Sequence, residues 1–413
     1  MTVLAQVENL QGFLRSYLSE STKTLREGYG AIILSIITDI LAGVFLGKSH
    51  EILQWMPGLI ILIPGAIGLR GNIFGSLGSR LGSGIHLGLI GRFDLKNPFI
   101  KENIRAPLYL TILFSIILGA ISSFLCRFFG IGCITVEYFV IVSLLGGLIS
   151  GLIMLILTFL IAFVSSAKGL DPDNVTTPLI TALGDFFTVP SIIVSAILVG
   201  NLNSIVIKIS WYLVILLLIG NILYVILRES KSVKRIVYES STVLIVCSFV
   251  GSLSGSLMEY NLSKFLLLPS LLVMVPAFLE EGGNIGSILA SRLSSKLHLG
   301  LIEPKFRLGK NLMMEILSSY ILCMCVFPLV GILNFVFSKL TNLRTLDFID
   351  TIILTTISGI LLTIIISSIT VLLSFVSYKR GYDPDNILIP VVTSVADLLG
   401  IFILIFTFDF LFV

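Results

Sequence analysis

PGAIGLRGNIFGSLGSRLGSGIHLGLI, residues 64–90, returns as PAFLEEGGNIGSILASRLSSKLHLGLI, residues 276–302. The two stretches match at 14 of 27 positions without a gap, 212 residues apart. A second block behaves the same way. GLDPDNVTTPLITALGD (169–185) matches GYDPDNILIPVVTSVAD (381–397) at 8 of 17 positions, again at an offset of 212. One offset for both blocks marks a tandem duplication of most of the chain. The shared residues include Asn72/Asn284, Asp171/Asp383, Asp173/Asp385, Asn174/Asn386, Thr181/Thr393 and Asp185/Asp397. These are polar groups inside or beside apolar sequence, where lipid penalises them. Their retention in both halves points to an ion site between two repeats.

Composition fixes the class. The chain is 56% hydrophobic and 12% charged, with mean hydropathy +1.06, where a soluble domain carries about 25% charged residues. Apolar runs of roughly 20 residues recur along the length, which excludes a transmembrane β-barrel. The reading is an all-α polytopic membrane protein. Residues 1–28 carry Glu8, Arg15, Glu20, Lys23, Arg26 and Glu27 with no early apolar core, so no cleavable signal is expected. Val7, Leu10, Phe13, Leu14, Tyr17 and Leu18 recur at helical spacing, which suits a short cytoplasmic amphipathic segment on the membrane surface. Cys126, Cys133, Cys247, Cys323 and Cys325 fall in or beside apolar segments and read as packing residues, with a Cys126–Cys133 bridge left open.

Membrane segments are expected near 30–47, 53–74, 107–129, 137–166, 176–200, 205–227, 241–258, 265–283, 314–338, 350–377 and 387–411. That is an arrangement of 5+1+5, with the segment at 205–227 joining two five-helix repeats. Five is odd, so the joining helix restores the orientation of the second copy. The repeats are then parallel, related by a pseudo-two-fold along the membrane normal. With the N-terminus placed in the cytoplasm and the C-terminus outside, 21 of the 27 lysines and arginines fall on the inner side. The expected divisions are a leader at 1–28, a first repeat at 29–200, a linker with one helix at 201–240 and a second repeat at 241–413, in the plasma membrane.

Asp185 and Asp397 carry the chemistry. Each lies about ten residues into the fifth helix of its repeat, roughly 15 Å deep at 1.5 Å per residue, or half of a hydrocarbon core. A lone carboxylate at that depth costs about 2.5–3.5 kcal/mol on insertion scales, so it faces protein or water. Thr181/Thr393 and Asn174/Asn386 share that helix face and make an oxygen-rich stripe. Asn72 and Asn284 offer neutral oxygens from the second helix, as ligands or as structural groups. Asp171, Asp173, Asp383 and Asp385 read equally as helix caps or as an acidic ring at the cytoplasmic mouth. Glu27 and Glu239, matched at the start of each repeat, are further candidates for that mouth. Pro64 and Pro276 are expected to kink the second helix, and Arg80/Arg292 and His86/His298 to snorkel and pack in the cytoplasmic connection. A site of carboxylate, amide and hydroxyl suits a hard divalent cation, partly hydrated.

The blocks P-x6-G-N before a Ser/Gly-rich S-R-L, and D-P-D-N-x3-P-x2-T-x3-D, each present twice, resemble the MgtE magnesium-transporter family. The likeness is nearest to its solute-carrier branch, in which two MgtE-like membrane domains are fused, and it covers about residues 27–200 and 239–412. The resemblance implies that the chain is the membrane core of a homodimer joined in one polypeptide, without the cytoplasmic sensing domains of bacterial MgtE. It also implies that Asp185 and Asp397 lie in the central ion path, that Mg²⁺ is cargo and that the chain is not an enzyme. Divalent cations and the bilayer are the expected partners, with no nucleic acid, and a pseudo-dimeric monomer is expected to suffice.

The copies also differ. Asp39 stands opposite Gly251, Glu280 and Glu281 opposite Gly68 and Leu69, and Arg70 opposite Gly282. A symmetric channel needs no one-sided acids, so Asp39, Glu280 and Glu281 are candidate ligands of a coupling ion, Na⁺ or H⁺. The competing account is that they form salt bridges to Arg70 or to lysines. Two other functions compete with divalent-cation transport. One is ion-coupled transport of another substrate. The other is a metal-dependent lipid enzyme, which duplicated mid-depth aspartates disfavour.

Overall fold

The computed structural model describes residues 32–90, 93–167, 172–304, 309–380 and 384–412, with the side chains of 172–178 and 384–388 set aside. Segment 1–28, Glu27, Asp171 and Asp383 lie outside the described residues. The described residues are helical throughout, joined by turns. They form α1 (32–48), α2 (His50–Trp55), α3 (Leu62–His86), α4 (Pro98–Phe128), α5 (Val136–Ala167), α6 (Pro172–Gly200) and α7 (Ser204–Arg228). Then follow α8 (Lys231–Tyr260), α9 (Leu262–Leu267), α10 (Ser270–His298), α11 (Lys310–Leu340), α12 (Phe348–Lys379) and α13 (Pro384–Phe412).

Local sequence explains the helix starts. Asn97 Oδ1 accepts from Phe99 N and Pro98 follows it, so cap and first-turn proline coincide at α4. Asn203 and Ser230 cap α7 and α8 through Val206 N and Val233 N. In both D-P-D-N blocks the proline is the first helical residue, which puts Asp173/Asn174 and Asp385/Asn386 in the first turn of α6 and α13. Many hydroxyls within the spans are satisfied by their own helix. Ser150 donates to Gly146 O at 2.8 Å and Thr158 to Met154 O at 2.7 Å.

The duplication is written into the element boundaries. α2, α4, α5 and α6 recur as α9, α11, α12 and α13 with both ends shifted by 212 residues, and α1 and α3 share that shift with α8 and α10 at their C-terminal ends. α7 has no counterpart. It packs on α4, α5 and α8 and leaves most of its apolar surface uncovered, as a lipid-facing helix does. Glu229, at the turn into α8, accepts from Tyr109 Oη at 2.6 Å and ties this linker to α4.

Nine of the described helices are long and apolar enough to cross a membrane: α3, α4 to α8 and α11 to α13. The chain is a polytopic integral membrane protein. The other two expected spans are α1, which is shorter, and α10, which carries Glu280, Glu281, Arg292 and Lys296. Two expectations need correction. The segment at 53–74 is instead a short α2, a 3-10 turn (Leu59–Ile61) and α3, which runs on past Asn72 to His86. The Gly/Ser run lowers hydropathy without breaking the helix, because its glycines are close-approach points: Gly71 faces Thr181, and Gly84 faces the Phe99 ring. Arg70 and Arg80 therefore belong to a helix interior and not to a cytoplasmic connection. Pro64 falls in the first turn of α3, where it removes no helical hydrogen bond, whereas Pro276 is internal to α10.

The repeats are interlocked by their first helices. α8 packs against α3 and α4 of the other repeat, with Ser122 and Ser252 sharing a 2.9 Å hydrogen bond. Gly255 of α8 meets the Ile61 backbone, and Gly43 of α1 meets the Val273 backbone of α10. Gly43 and Gly255 are equivalent positions, as are Ile61 and Val273. Residue i of one copy touches j of the other and the converse holds, which is the mark of two-fold exchange.

Candidate functional site

Asp185 lies 13 residues after Pro172 and 15 before Gly200, the middle of α6. It is 2% exposed, and its Oδ2 has no hydrogen-bond partner among the described residues. Asp397, half-buried in α13, stands within its electrostatic field, so the two repeats bring their fifth-helix aspartates toward one another. Glu280 of α10 lies within the electrostatic field of both. Asp39 of α1 is fully buried, accepts from Ser35 Oγ at 3.2 Å through Oδ2, and leaves Oδ1 without a partner. The charges acting on Asp39 are Asp185, Glu280 and Glu281. Glu281, also buried, has an unpartnered Oε1.

Carboxylates from α1, α6, α10 and α13 thus share one interior region. The salt bridge to Arg70 that would have made them structural is not formed: the Arg70 guanidinium donates to Thr111 and Ser115 instead. Buried anions without counter-charge are costly and call for a cation. Among the described residues, no three His, Cys, Asp or Glu side chains converge closely enough to hold a metal ion directly. Spread acids with orphaned oxygens suit an ion that keeps part of its water, and a position crossed in transit more than a closed cage.

The neutral ligand candidates are arranged consistently with that. Asn72 Nδ2 donates to Gly68 O at 2.8 Å and to Cys247 Sγ at 3.5 Å, which anchors the amide nitrogen and leaves Oδ1 as the acceptor end. Asn284 is half-buried one turn from Glu281, whose carboxyl it meets. Thr393 donates to Pro390 O within its own helix, so its oxygen keeps lone pairs for a ligand. The methyls of Thr181 and Thr393 pack on Gly71 and Gly283, which fixes α6 to α3 and α13 to α10 at equivalent places. For Asn174, Asp173, Asn386 and Asp385 only the helical backbone is described. Glu239 is not a free mouth acid: it pairs with Arg235 at 2.7 Å on the exposed face of α8.

Two features escaped the sequence reading. Cys247, taken as packing, puts its thiol between Asn72 of α3 and Ser394 of α13 (3.4 Å), within the field of Asp397. Its equivalent is Ser35, the residue that serves Asp39. That oxygen-for-sulfur swap at one offset was the available signal. Arg80 and Arg292 are braces and not snorkelling residues. Arg80 Nε donates to Asn103 Oδ1 at 2.9 Å, tying α3 to α4. In the other repeat Lys296 and Arg292 meet Glu315 at 2.6 and 3.5 Å, tying α10 to α11. Asn103 and Glu315 are equivalent positions. All five cysteines are free, so no Cys126–Cys133 bridge is present.

The profile of the MgtE family, described as a divalent cation transporter, matches residues 63–195 and 275–407. The chain belongs to the MgtE family. The two matched regions are again 212 residues apart at both ends, so the MgtE unit is present twice. The chain is 25% identical over 412 residues to solute carrier family 41 member 2 of Homo sapiens, covering 94% of this chain and 69% of that protein. It is 23% identical over 406 residues to solute carrier family 41 member 3 of Mus musculus, covering 88% and 79%. No solved structure matches the chain. MgtE proteins are transporters and not enzymes.

Proposed function

We infer that the chain carries Mg²⁺ across the plasma membrane through a path between its two MgtE units, with Asp185 and Asp397 as paired ligands at mid-depth. The observation that carries this reading is the group of buried and half-buried carboxylates without a buried basic partner, two of them at equivalent positions. Thr181, Thr393, Asn72 and Asn284 supply neutral oxygens beside them, with Asn174 and Asn386 nearer the cytoplasm. Asp171, Asp173, Asp383 and Asp385 concentrate cations at the inner mouth, and Glu27 and Glu239 stand at the start of each unit.

The architecture of this proposal is five helices (29–200), a linker helix (201–240) and five helices (241–413). The units are parallel, the N-terminus and leader 1–28 are inside, the C-terminus is outside, and one chain suffices. Its sequence support is the distribution of lysine and arginine. Mg²⁺ fits better than Zn²⁺ because oxygen dominates the donor set and because spread acids tolerate a hydrated ion.

Asp39, Glu280 and Glu281 occur in one copy only and all act on the α1/α10 side of the path. They bind a coupling cation, Na⁺ or H⁺, which makes the protein a carrier. Mg²⁺ flux into proteoliposomes tests both parts. Asp185→Asn and Asp397→Asn should each abolish flux; flux surviving both would remove these aspartates from the path. Wild-type flux should respond to a Na⁺ or pH gradient, and indifference to both would leave a channel.

A further inference from the structure

Arg70 is the one lysine or arginine that is buried among the described residues. A guanidinium stays charged wherever it sits, and an isolated charge in a membrane interior is expensive. Yet its partners are neutral. Nη1 donates to Thr111 Oγ1 at 3.1 Å and Nη2 to Ser115 Oγ at 2.8 Å, both on α4. Two glycines of α5 make the room. A Cβ on Gly147 would overlap Ser115 Oγ and lie 2.7 Å from Nη2, and one on Gly151 would lie 3.5 Å from Nη1. The cradle is unique to the first copy. Its equivalents in the second are Gly282, Cys323, Phe327, Gly359 and Thr363, where the Phe327 ring lies against Gly359 and fills the space.

The cradle leaves Nε of Arg70 without a partner, and on the next helix Oδ2 of Asp185 is without one too. A donor and an acceptor are thus orphaned on neighbouring elements. α3 and α6 meet at this level: a Cβ on Gly184 would lie 3.8 Å from Arg70 Cβ and 3.9 Å from Gly71 N. The two side chains are rooted side by side, with the guanidinium turned away from the acids.

We propose that Arg70 is a tethered competitor of the transported cation. It rests in the Thr111/Ser115 cradle while a cation is near Asp185, and swings to that carboxylate when the cation leaves. This rests on the reading that Asp185 lies in the ion path. The swing replaces one compensating charge by another, so the empty site never holds an uncompensated Asp185. In the second copy Gly282 stands at the position of Arg70, so Asp397 has no such competitor; the two aspartates then release a cation unequally, which gives a duplicated path a direction. If the guanidinium holds Asp185 in nine empty sites out of ten, apparent affinity is reduced about tenfold.

The test uses the full chain in proteoliposomes, with Mg²⁺ as the probe. Arg70→Gln removes the competitor, so the apparent KM for Mg²⁺ falls by about tenfold and the maximal rate falls as release slows. Gly147→Ala crowds the guanidinium out of its cradle toward Asp185, so KM rises. The double variant returns to the Arg70→Gln value, because no guanidinium is left to displace. A merely structural Arg70 moves both single variants the same way or leaves KM unchanged, and either result overturns the proposal. Ser115→Ala, which loosens the cradle with little packing change, supplies the second test should Arg70→Gln misfold: KM must rise, and an unchanged KM overturns it. Asp185→Asn separates the two readings. Flux surviving that change defeats the path assignment, whereas lost flux without the opposed KM shifts defeats only the role of Arg70.

Discussion

The exchange of first helices between repeats predicts a matched pair of lesions. At Gly43 an added Cβ would fall 2.6 Å from Val273 C and 2.8 Å from its Cα; at Gly255 it would fall 2.6 and 2.8 Å from Ile61 Cα and C. These are backbone atoms, so no side chain can rotate away, and the helices must part by about 1 Å to reach ordinary contact distances of about 3.5–4 Å. Overpacking of this kind costs about 1–3 kcal/mol, against a gain of about 1 kcal/mol for replacing glycine within a helix. Contact with unyielding backbone puts the cost in the upper part of that range, about 2–3 kcal/mol, so Gly43→Ala and Gly255→Ala should each lose about 1–2 kcal/mol net. Gly220→Ala is the control: nothing lies within 4 Å of its Cβ on lipid-facing α7, and it should gain up to about 1 kcal/mol.

Thermal unfolding in detergent reads stability, and proteoliposome flux reads function. Gly43 is one turn from Asp39, so parting α1 from α10 pulls Asp39 from Glu281. Gly255 is one turn from Gly251, where no acid stands. Equal stability losses with flux impaired several-fold more in Gly43→Ala are therefore expected. Neutral behaviour of both variants, or a loss in only one, would refute the exchanged-helix packing. Equal flux in the two would refute the placing of the acids on the α1/α10 side alone.

Asp39→Asn and Glu281→Gln remove charge from a group of like charges, so both should raise the melting temperature in cation-free buffer and shrink the further rise given by Mg²⁺; unfolding curves with and without Mg²⁺ decide it. Cys247 places sulfur beside the path, so Cd²⁺ should block Mg²⁺ flux in wild type and lose potency in Cys247→Ser, measured as the shift in half-blocking concentration. Glu315→Gln reproduces the neutral brace at Asn103 and should be mild, whereas Glu315→Ala leaves Arg292 and Lys296 unpaired and should lose roughly 1–3 kcal/mol, read from melting temperature.

The duplication, the all-helical membrane class and the mid-helix position of Asp185 and Asp397 were legible in the sequence because each rests on a local signal: an offset, a hydropathy run, a count of residues from a D-P-D-N block. The course of α3 was not. Hydropathy falls through Gly71-Asn72 and the Gly/Ser run, and what keeps the helix going there is close packing by Thr181 and Phe99, which is long-range information. For the same reason Arg70 and Arg80 read as cytoplasmic charges. Cys247 was not legible because no cysteine stands opposite it; its equivalent is Ser35. Hydroxyl and thiol occupy equivalent places in the two copies, with Ser35 on Asp39 and Cys247 on Asn72 and Ser394.

The pattern of differences follows from having two copies in one chain. In a homodimer any substitution appears twice, so an acid placed at one interface appears at both, and the repulsion doubles with the benefit. A fused pair escapes that constraint. Here the α8/α3 interface is closed glycine on glycine, a Cβ on Gly251 falling 2.5 Å from Gly65 Cα. Its equivalent between α1 and α10 carries Asp39 and Glu281, with Glu280 beside them, and one copy alone carries Arg70 with a cradle cut to fit it. The groups kept in both copies, Asp185/Asp397 and Asn72/Asn284, are, on the proposed path, those a cation would pass whichever way it travels. The groups kept in one copy are charges that would make such a passage unequal on its two sides. A symmetric pore has no use for that inequality, whereas a carrier that binds, releases and resets in order requires it.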